Sequence, residues 1–229
     1  MATRHILILL TSHASLGDTG RPTGFWLEEL AVPYWTFTRA GVSVTLASPQ
    51  GGKAPADPRS LTSELPEVKD FLADPTATGR LDHTARLADL DITSFDAIFV
   101  AGGHGTMWDL ATPEVGAVLS KAWAAGKVLA AVCHGPAALV SVKAADGRPV
   151  VAGRRFAAFT NEEEAAVELT HVVPFLLATK LSEEGGHHVK GPMWEPLVVV
   201  DGRLVTGQNP GSSKKVAEAT LGALGGLGR

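Results

Sequence analysis

Short apolar runs recur along the chain and are separated by longer segments of mixed polarity. The clearest runs cover residues 5–10 and 127–132, and residues 42–47 and 95–100 are predicted to be further strands. Continuous apolar runs of this length are typical of strands that are buried on both faces of a parallel sheet. Because the intervening segments are long enough for helices, the pattern predicts an α/β fold with three layers and a mostly parallel central sheet, as in flavodoxin.

The first predicted helix covers residues 24–40. Thr23 is its expected N-cap, and Gly41 follows its last turn as a stop signal. Pro33 lies inside the segment and lacks the backbone N–H that a continuous helix uses. The sequence therefore predicts a kink or a break at Pro33.

Other helices and one hairpin are predicted from local signals. Thr112 is the expected cap of a helix whose first residue is a proline. Gly126 is expected to follow the end of this helix. Residues 162–178 are predicted to be helical with an interruption at a proline, and a final helix covers about 213–224. An Asp-Gly pair at 201–202 lies between two apolar runs and predicts a hairpin.

Composition narrows the class of protein. The 229 residues include 45 % hydrophobic and 19 % charged residues, with a net charge of −4, which argues against nucleic acid and anionic membranes as partners. We expect a single domain over residues 1–229, with a flap or insertion at about 50–91. The apolar run at 5–10 is too short for a signal peptide or a membrane span, so a cytoplasmic location is expected.

Cys133 is the one cysteine in the chain, so no intramolecular disulfide can form. It ends an apolar run, and His134, Gly135 and Pro136 follow it before a second apolar run. This pattern predicts a strand, a sharp turn and a helix, the layout of a nucleophile elbow with cysteine in place of serine. A cysteine at a helix N-terminus tends towards the reactive thiolate, whereas a lone cysteine is also often only a small buried hydrophobe.

Glycines and a histidine follow the strand that ends near residue 100. Gly102 and Gly103 offer backbone N–H groups which, with the N–H of His134, would form an oxyanion hole. The same glycines also suit an ordinary tight turn between strand and helix. No GxGxxG or Walker motif is present, so the segment does not predict a nucleotide site.

His134 is the candidate base, although adjacent residues do not share a helix face and its side chain need not reach the sulfur. An acidic partner would orient it, and the sequence leaves Glu162, Glu163 and Glu164 open for that role. Three glutamates also suit the solvated start of a helix. Glu28 and Glu29 lie in an otherwise apolar helix, where one of them would be a buried acid beside the sulfur.

A metal site is not expected. His187 and His188 lie near Glu183 and Glu184, but adjacent histidines do not easily bind one ion, and no HExxH motif is present.

Four motifs in order carry a family resemblance. They are Thr23-Gly24-Phe25-Trp26-Leu27-Glu28-Glu29 with Pro33, Gly102-Gly103-His104-Gly105, Cys133-His134-Gly135-Pro136, and the stretch from Asp201-Gly202 to Asn209-Pro210. In these motifs the chain resembles the ThiJ/PfpI superfamily, which has the class I glutamine-amidotransferase-like fold. It is most similar to the branch of heat-shock chaperones and glyoxalase III proteins.

The resemblance assigns roles to some of these residues. It selects Glu29, four residues before Pro33, as the acid beside Cys133. Counting from Phe159-Thr160, it selects Glu164 as the third catalytic member, with Glu163 as the alternative, although some relatives have an aspartate where this chain has Asn161. Together with His134 these residues form the expected catalytic set, with the N–H groups of Gly103 and His134 as oxyanion donors. The expected pocket residues are Trp26, Gly102, His104 and Trp194.

The resemblance also implies a function. It predicts a glyoxalase that converts methylglyoxal to lactate through a hemithioacetal on Cys133, without glutathione, a metal or another cofactor. Its expected partner is a small reactive dicarbonyl, and its expected assembly is a homodimer. The alternatives are repair of methylglyoxal adducts with the same chemistry, a cysteine peptidase or amidase, and a stress-response chaperone or redox sensor whose cysteine is oxidised.

Overall fold

The computed structural model describes residues 4–226, and its centre is a seven-stranded sheet. The strands are β1 (His5–Leu9), β2 (Ser43–Ser48), β3 (Ala85–Arg86), β4 (Ala97–Val100), β5 (Val128–Val132), β6 (Arg155–Phe156), β7 (His187–His188), β8 (Val198–Asp201) and β9 (Leu204–Gly207). The sheet has the order β3-β2-β1-β4-β5-β9-β8, and only β8 runs antiparallel to its neighbour. β6 and β7 form a separate parallel pair.

Helices cover both faces of this sheet. They are α1 (Leu27–Arg39), α2 (Pro66–Ala73), α3 (Pro75–Asp82), α4 (Thr106–Asp109), α5 (Pro113–Ala124), α6 (Asn161–Ala166), α7 (Leu177–Glu183) and α8 (Ser213–Gly226). The predicted mostly parallel sheet between helical layers is confirmed. Within the described residues, no helix combines the length and the apolar character needed to cross a membrane.

The alternation of side chains along β1 explains the two cores. Leu7 and Leu9 pack into the core that contains Leu119 of α5. Ile6 and Ile8 point to the other face, into the core that contains residues of α1 and α8. Successive side chains of a strand point to opposite faces, so a strand covered on both sides must be apolar at every position. This is why continuous apolar runs mark strands such as β1 and β5.

Strand register places the candidate motifs side by side. Val100 at the end of β4 pairs with Ala131 of β5, and Val132 pairs with Gly207 of β9. The residues that follow β4 and β5 therefore emerge at neighbouring points of one sheet edge. In parallel sheets this carboxyl edge is where ligands bind.

The start of α1 differs from the prediction. The helix begins at Leu27 rather than Gly24, and Trp26 occupies the N-cap position without a side-chain capping bond. Thr23 is not the cap, because its hydroxyl donates instead to the buried carboxylate of Asp57. The expected break at Pro33 is also absent, since α1 is one continuous helix from Leu27 to Arg39.

The segment after Cys133 was also predicted incorrectly. Instead of an α-helix, a short 3-10 helix covers Gly135–Leu139. The helix predicted over 162–178 is mostly wrong, because α6 ends at Ala166 and α7 begins only at Leu177, with turns between them. The cap at Thr112, the hairpin of β8 and β9 and the final helix are as predicted.

Residues 50–91 pack against the start of α1 and the edge of the sheet. The segment contains a 3-10 helix at Pro58–Thr62, followed by α2, α3 and the short β3, which extends the main sheet beside β2. Ala56 forms an isolated parallel bridge with Phe25. This bridge brings the 3-10 helix next to the residues that precede α1.

Candidate active site

Cys133 follows the last residue of β5 in an unusual backbone conformation. Its φ is 60°, in the left-handed region that non-glycine residues rarely adopt. Its N–H donates to the carbonyl of Gly207 at 3.0 Å, which holds the residue against β9. The side chain is buried, with 3 % of the residue exposed. Local strain of this kind is characteristic of functional sites, where the surrounding structure maintains it.

His134 does reach the sulfur. Its Nδ1 lies 3.3 Å from Sγ of Cys133, and its Nε2 lies 2.8 Å from Oε2 of Glu164. Glu164 is brought there by a backbone bond, in which Phe159 N–H donates to the carbonyl of Cys133 at 2.9 Å. Thr160 then caps α6, which carries the glutamate. The three side chains form the chain of contacts that a nucleophile, a base and an orienting acid require.

Glu163 has a different environment from Glu164. Its carboxylate accepts bonds from Thr160 in a capping box, and it also accepts from the N–H of Trp194 and the amide of Asn209, both at 2.9 Å. These contacts secure the start of α6 and the loop of Trp194. Of the glutamates that the sequence left open, the structure therefore brings Glu164 to His134.

A second imidazole shares the same carboxylate. His104 Nε2 lies 2.9 Å from Oε1 of Glu164, and the rings of His104 and His134 lie 4.1 Å apart. Burial and the neighbouring His134 lower the pKa of His104 to about 4, so its ring is neutral near pH 7. Burial raises the pKa of Glu164, but the two histidines outweigh it and hold that pKa well below its usual value. The sequence predicted that His104 lines the pocket, but it did not predict the contact of His104 with Glu164.

Glu29 lies beside Cys133 and is completely buried. Its Oε2 accepts the N–H of Gly102 at 2.6 Å, while Oε1 is buried without a hydrogen-bond partner among the described residues. A Cβ on Gly102 would lie 2.6 Å from the same Oε2, so only glycine permits this approach. Burial raises the pKa of Glu29 well above its usual value, although the adjacent Cys133 and the N–H of Gly102 act in the opposite direction.

The sequence predicted that the thiol of Cys133 tends towards thiolate. The surroundings of the sulfur act in the opposite direction. Burial and the nearby carboxyl of Glu29 raise the pKa of Cys133 well above its usual value, although the N–H groups of His134 and Gly103 act in the opposite direction. The expected helix dipole is weak because the following helix has only five residues. The sulfur therefore needs an acceptor for its proton, and both Glu29 and His134 lie next to it.

The two backbone donors expected at an oxyanion hole lie close to Cys133. They are the N–H groups of Gly103 and His134, and both act to lower the pKa of the thiol. Gly103 has a φ of 101°, and a Cβ on it would lie 2.5 Å from the nitrogen of Trp26. This turn consequently requires glycine for both its backbone conformation and its close packing.

A cavity of about 330 Å³ opens above Cys133. Of the expected pocket residues, Trp26, His104 and Trp194 line it, while Gly102 lies behind it with its N–H on Glu29. Arg59 and Phe159 also line the cavity, and the sequence did not indicate them. Arg59 belongs to a segment without hydrophobic periodicity, so no sequence signal linked it to the cysteine.

The cluster of His104, His134 and Glu164 also has the donor types of a metal site. One ligand atom from each residue lies within 4.8 Å of the others. However, both Nε2 atoms are at hydrogen-bond distance from the carboxylate, so each carries a proton that a metal would have to replace. His188 instead stacks on Phe156, with ring centres 5.1 Å apart, and the adjacent His187 is exposed.

Comparison with known proteins identifies the family. A sequence model of the DJ-1/PfpI family matches residues 22–223. The chain belongs to the DJ-1/PfpI family. Members of this family with curated functions are similar over almost the whole length. They include glyoxalase 3 of Candida albicans, with 30 % identity over 95 % of this chain and 97 % of that protein. A glutathione-independent glyoxalase of Schizosaccharomyces pombe is 33 % identical over 94 % of this chain and 93 % of its own.

Solved structures of the family agree with the fold. A rapid encystment protein of Francisella tularensis superposes with a TM-score of 0.93 at 35 % identity, covering 97 % of this chain and 99 % of its own. Glyoxalase III of Candida albicans superposes with a TM-score of 0.86 at 29 % identity, covering 96 % of this chain and 97 % of its own. This DJ-1/PfpI chain therefore matches a glyoxalase of its family in both sequence and structure.

Proposed function

We propose that this DJ-1/PfpI protein is a glutathione-independent glyoxalase, which converts methylglyoxal and water into lactate. One observation carries the proposal: Cys133 lies in the cavity with an oriented imidazole on one side and the buried carboxyl of Glu29 on the other. The reaction needs a nucleophile and a group that moves a proton between two adjacent carbons. The similarity to proteins named as glutathione-independent glyoxalases supports this choice.

The first step is addition of the thiol to the aldehyde. The sulfur of Cys133 forms a bond to the aldehyde carbon, and the electron pair of the C=O bond moves to oxygen. His134 Nδ1, at 3.3 Å from the sulfur, accepts the thiol proton. The N–H groups of Gly103 and His134 stabilise the negative oxygen until it is protonated to give a hemithioacetal.

The second step moves hydrogen from the former aldehyde carbon to the neighbouring ketone carbon. Glu29 or His134 removes the C–H proton, and the electron pair forms the double bond of an enediol. The proton returns to the adjacent carbon, and the product is the thioester of lactate. No external oxidant is required, because one carbon is oxidised while its neighbour is reduced. Burial raises the pKa of Glu29, so this carboxyl holds a proton more tightly than an exposed glutamate and suits such a transfer.

Hydrolysis completes the cycle. Water adds to the thioester carbon, the C–S bond breaks, and the sulfur recovers a proton as lactate leaves. The same backbone donors stabilise the tetrahedral intermediate. His134, fixed by Glu164, is placed to activate the water and then to protonate the sulfur. A homodimer in the cytoplasm, and a single domain with a flap at about 50–91, remain part of the proposal.

Lactate formation tests the proposal directly. Purified protein is mixed with methylglyoxal without glutathione, and lactate is followed with a D-lactate-specific assay beside the Cys133→Ala variant. We expect steady production by the natural chain and none by the variant, with equal thermal stability as the folding control. Lactate production by Cys133→Ala would contradict the cysteine mechanism, and none by the natural chain would contradict the function.

A further inference from the structure

Arg59 reaches the cavity from the 3-10 helix at Pro58–Thr62. Its side chain lines the same cavity as Cys133. Its Nε and Nη2 donate to the two oxygens of Asp57 at 3.0 and 2.8 Å, a paired geometry that fixes the plane of the guanidinium. The side chain of Asp57 is only 1 % exposed. The arginine is thus held by a buried carboxylate rather than by solvent.

Asp57 is itself held in place. Its carboxylate accepts the hydroxyl of Thr23 at 3.0 Å, and its backbone N–H donates to the carbonyl of Phe25 at 2.8 Å. The guanidinium also lies over the ring of Trp26, 5.7 Å from its centre. These contacts connect Arg59 to the residues that line the cavity. A charge held in this way needs little reorganisation to bind a ligand.

Much of the guanidinium remains available. It carries five N–H groups, and only the two on Asp57 are used among residues 4–226. The Arg59 side chain is 49 % exposed, so its remaining donors can meet a ligand that enters the cavity. Glu28 also lines the cavity, and burial and the nearby Glu67 raise the pKa of Glu28.

The cavity is also larger than methylglyoxal requires. Its volume of about 330 Å³ lies within the range of sites that hold ligands much larger than five non-hydrogen atoms. Methylglyoxal has no anionic group that could pair with the guanidinium of Arg59. The space and the cation together indicate a substrate with a longer, anionic tail.

We propose that Arg59 makes the cavity selective for α-oxoaldehydes whose chain ends in an anionic group, a carboxylate or a phosphate. The aldehyde carbon lies at the sulfur of Cys133, and the anionic oxygens accept the free N–H groups of Arg59. Asp57 is a positioning residue that fixes the guanidinium. This assignment of substrate class rests on the proposed glyoxalase function.

Turnover of matched substrates provides the first test. The probes are an α-oxoaldehyde with a terminal carboxylate on a two-carbon spacer, its phosphate counterpart, and neutral propylglyoxal. We expect kcat/KM for an anionic probe relative to propylglyoxal to fall about tenfold in Arg59→Gln, mainly through KM. Whichever anionic probe shows the larger fall identifies the group that the site prefers. Equal ratios in Arg59→Gln and the natural chain would overturn the proposal.

The single cysteine allows a second test that does not depend on turnover. Iodoacetate is anionic and iodoacetamide is neutral, and both alkylate Cys133 as the only cysteine of the chain. We expect the ratio of their rate constants to fall by about fivefold to tenfold in Arg59→Gln. The double variant Asp57→Asn with Arg59→Gln should show the same fall without leaving a buried, unpaired carboxylate. An unchanged ratio in both variants would overturn the proposal.

Arg39 provides a matched control. It also lies beside an aspartate, 3.6 Å from Asp70, and over a tryptophan, 5.5 Å from the ring centre of Trp35, but it is not among the residues that line this cavity. Arg39→Gln should therefore keep the natural alkylation ratio, and an equal fall in both arginine variants would overturn the proposal. If no α-oxoaldehyde is converted while the alkylation ratio still depends on Arg59, the anion site stands and the glyoxalase function fails.

Discussion

The carboxylate of Glu164 holds His134 through a 2.8 Å contact between Oε2 and Nε2. This contact requires a proton on Nε2, because a carboxylate only accepts. Nδ1 of a neutral His134 ring is therefore free to accept a proton, and it faces Cys133 at 3.3 Å. The tautomer that the proposed chemistry needs is thus set by a residue that does not touch the sulfur.

Replacing Glu164 should impair catalysis. Glu164→Gln can donate as well as accept, so it no longer enforces the tautomer of His134, and kcat/KM for methylglyoxal should fall by about a hundredfold or more. Glu162→Gln is the control, because Glu162 lies on the same helix with a half-exposed side chain paired with Lys190. Equal activity of the two variants would contradict the role of Glu164.

Glu29 and Glu28 are adjacent but have different environments. Glu29 is completely buried beside Cys133, whereas Glu28 is half-buried at the cavity wall. Glu29→Gln retains the shape but cannot transfer a proton, so we expect kcat to fall by about a hundredfold or more. Glu28→Gln should lose less than about tenfold. Steady-state kinetics with methylglyoxal distinguish them, and a larger loss in Glu28→Gln would contradict the assignment.

His104 should make the fold sensitive to mild acid. Its pKa is about 4 in the folded chain, below the ordinary value of 6.5. Between these values the unfolded chain binds a proton that the folded chain does not, so stability is lost as the pH falls from 6.5 towards 4. The expected contribution is about 2.5 kcal/mol of unfolding free energy between about pH 7 and about pH 4.5.

Urea unfolding at both pH values measures this effect. His104→Gln removes the titrating group, so its loss of stability on acidification should be smaller than that of the natural chain by about this amount. His188, whose pKa is also lowered by burial, remains in both proteins and cancels in the difference. An identical acid-induced loss in the two proteins would show that His104 does not titrate as described.

Removal of metal ions should leave the activity unchanged. The Nε2 atoms of His104 and His134 are both engaged with Glu164. Chelator-treated protein should therefore form lactate from methylglyoxal at its full rate. Loss of activity on chelation, with recovery on addition of zinc, would instead make these three residues a metal site.

The central strands could be predicted because their apolar residues carry the information locally. Residues such as Ile6 and Leu7 face opposite cores, so β1 is apolar from Ile6 to Leu9 and the run is visible without tertiary structure. The start of α1 could not be located in this way. Thr23 has the side chain of an N-cap, but it bonds to Asp57, a residue far along the chain, and the helix begins later.

Local sequence patterns alone predict the parallel α/β sheet, the position of Cys133 at its carboxyl edge and the small set of acids and histidines that could serve it. Which of these residues contact one another depends on how the chain packs. The tertiary structure directed Glu164 to His134, engaged Glu163 in a helix cap, and brought Arg59 into the cavity. The physical reason is that strand formation depends on nearest neighbours and burial, whereas hydrogen bonds between distant side chains depend on how separate segments pack.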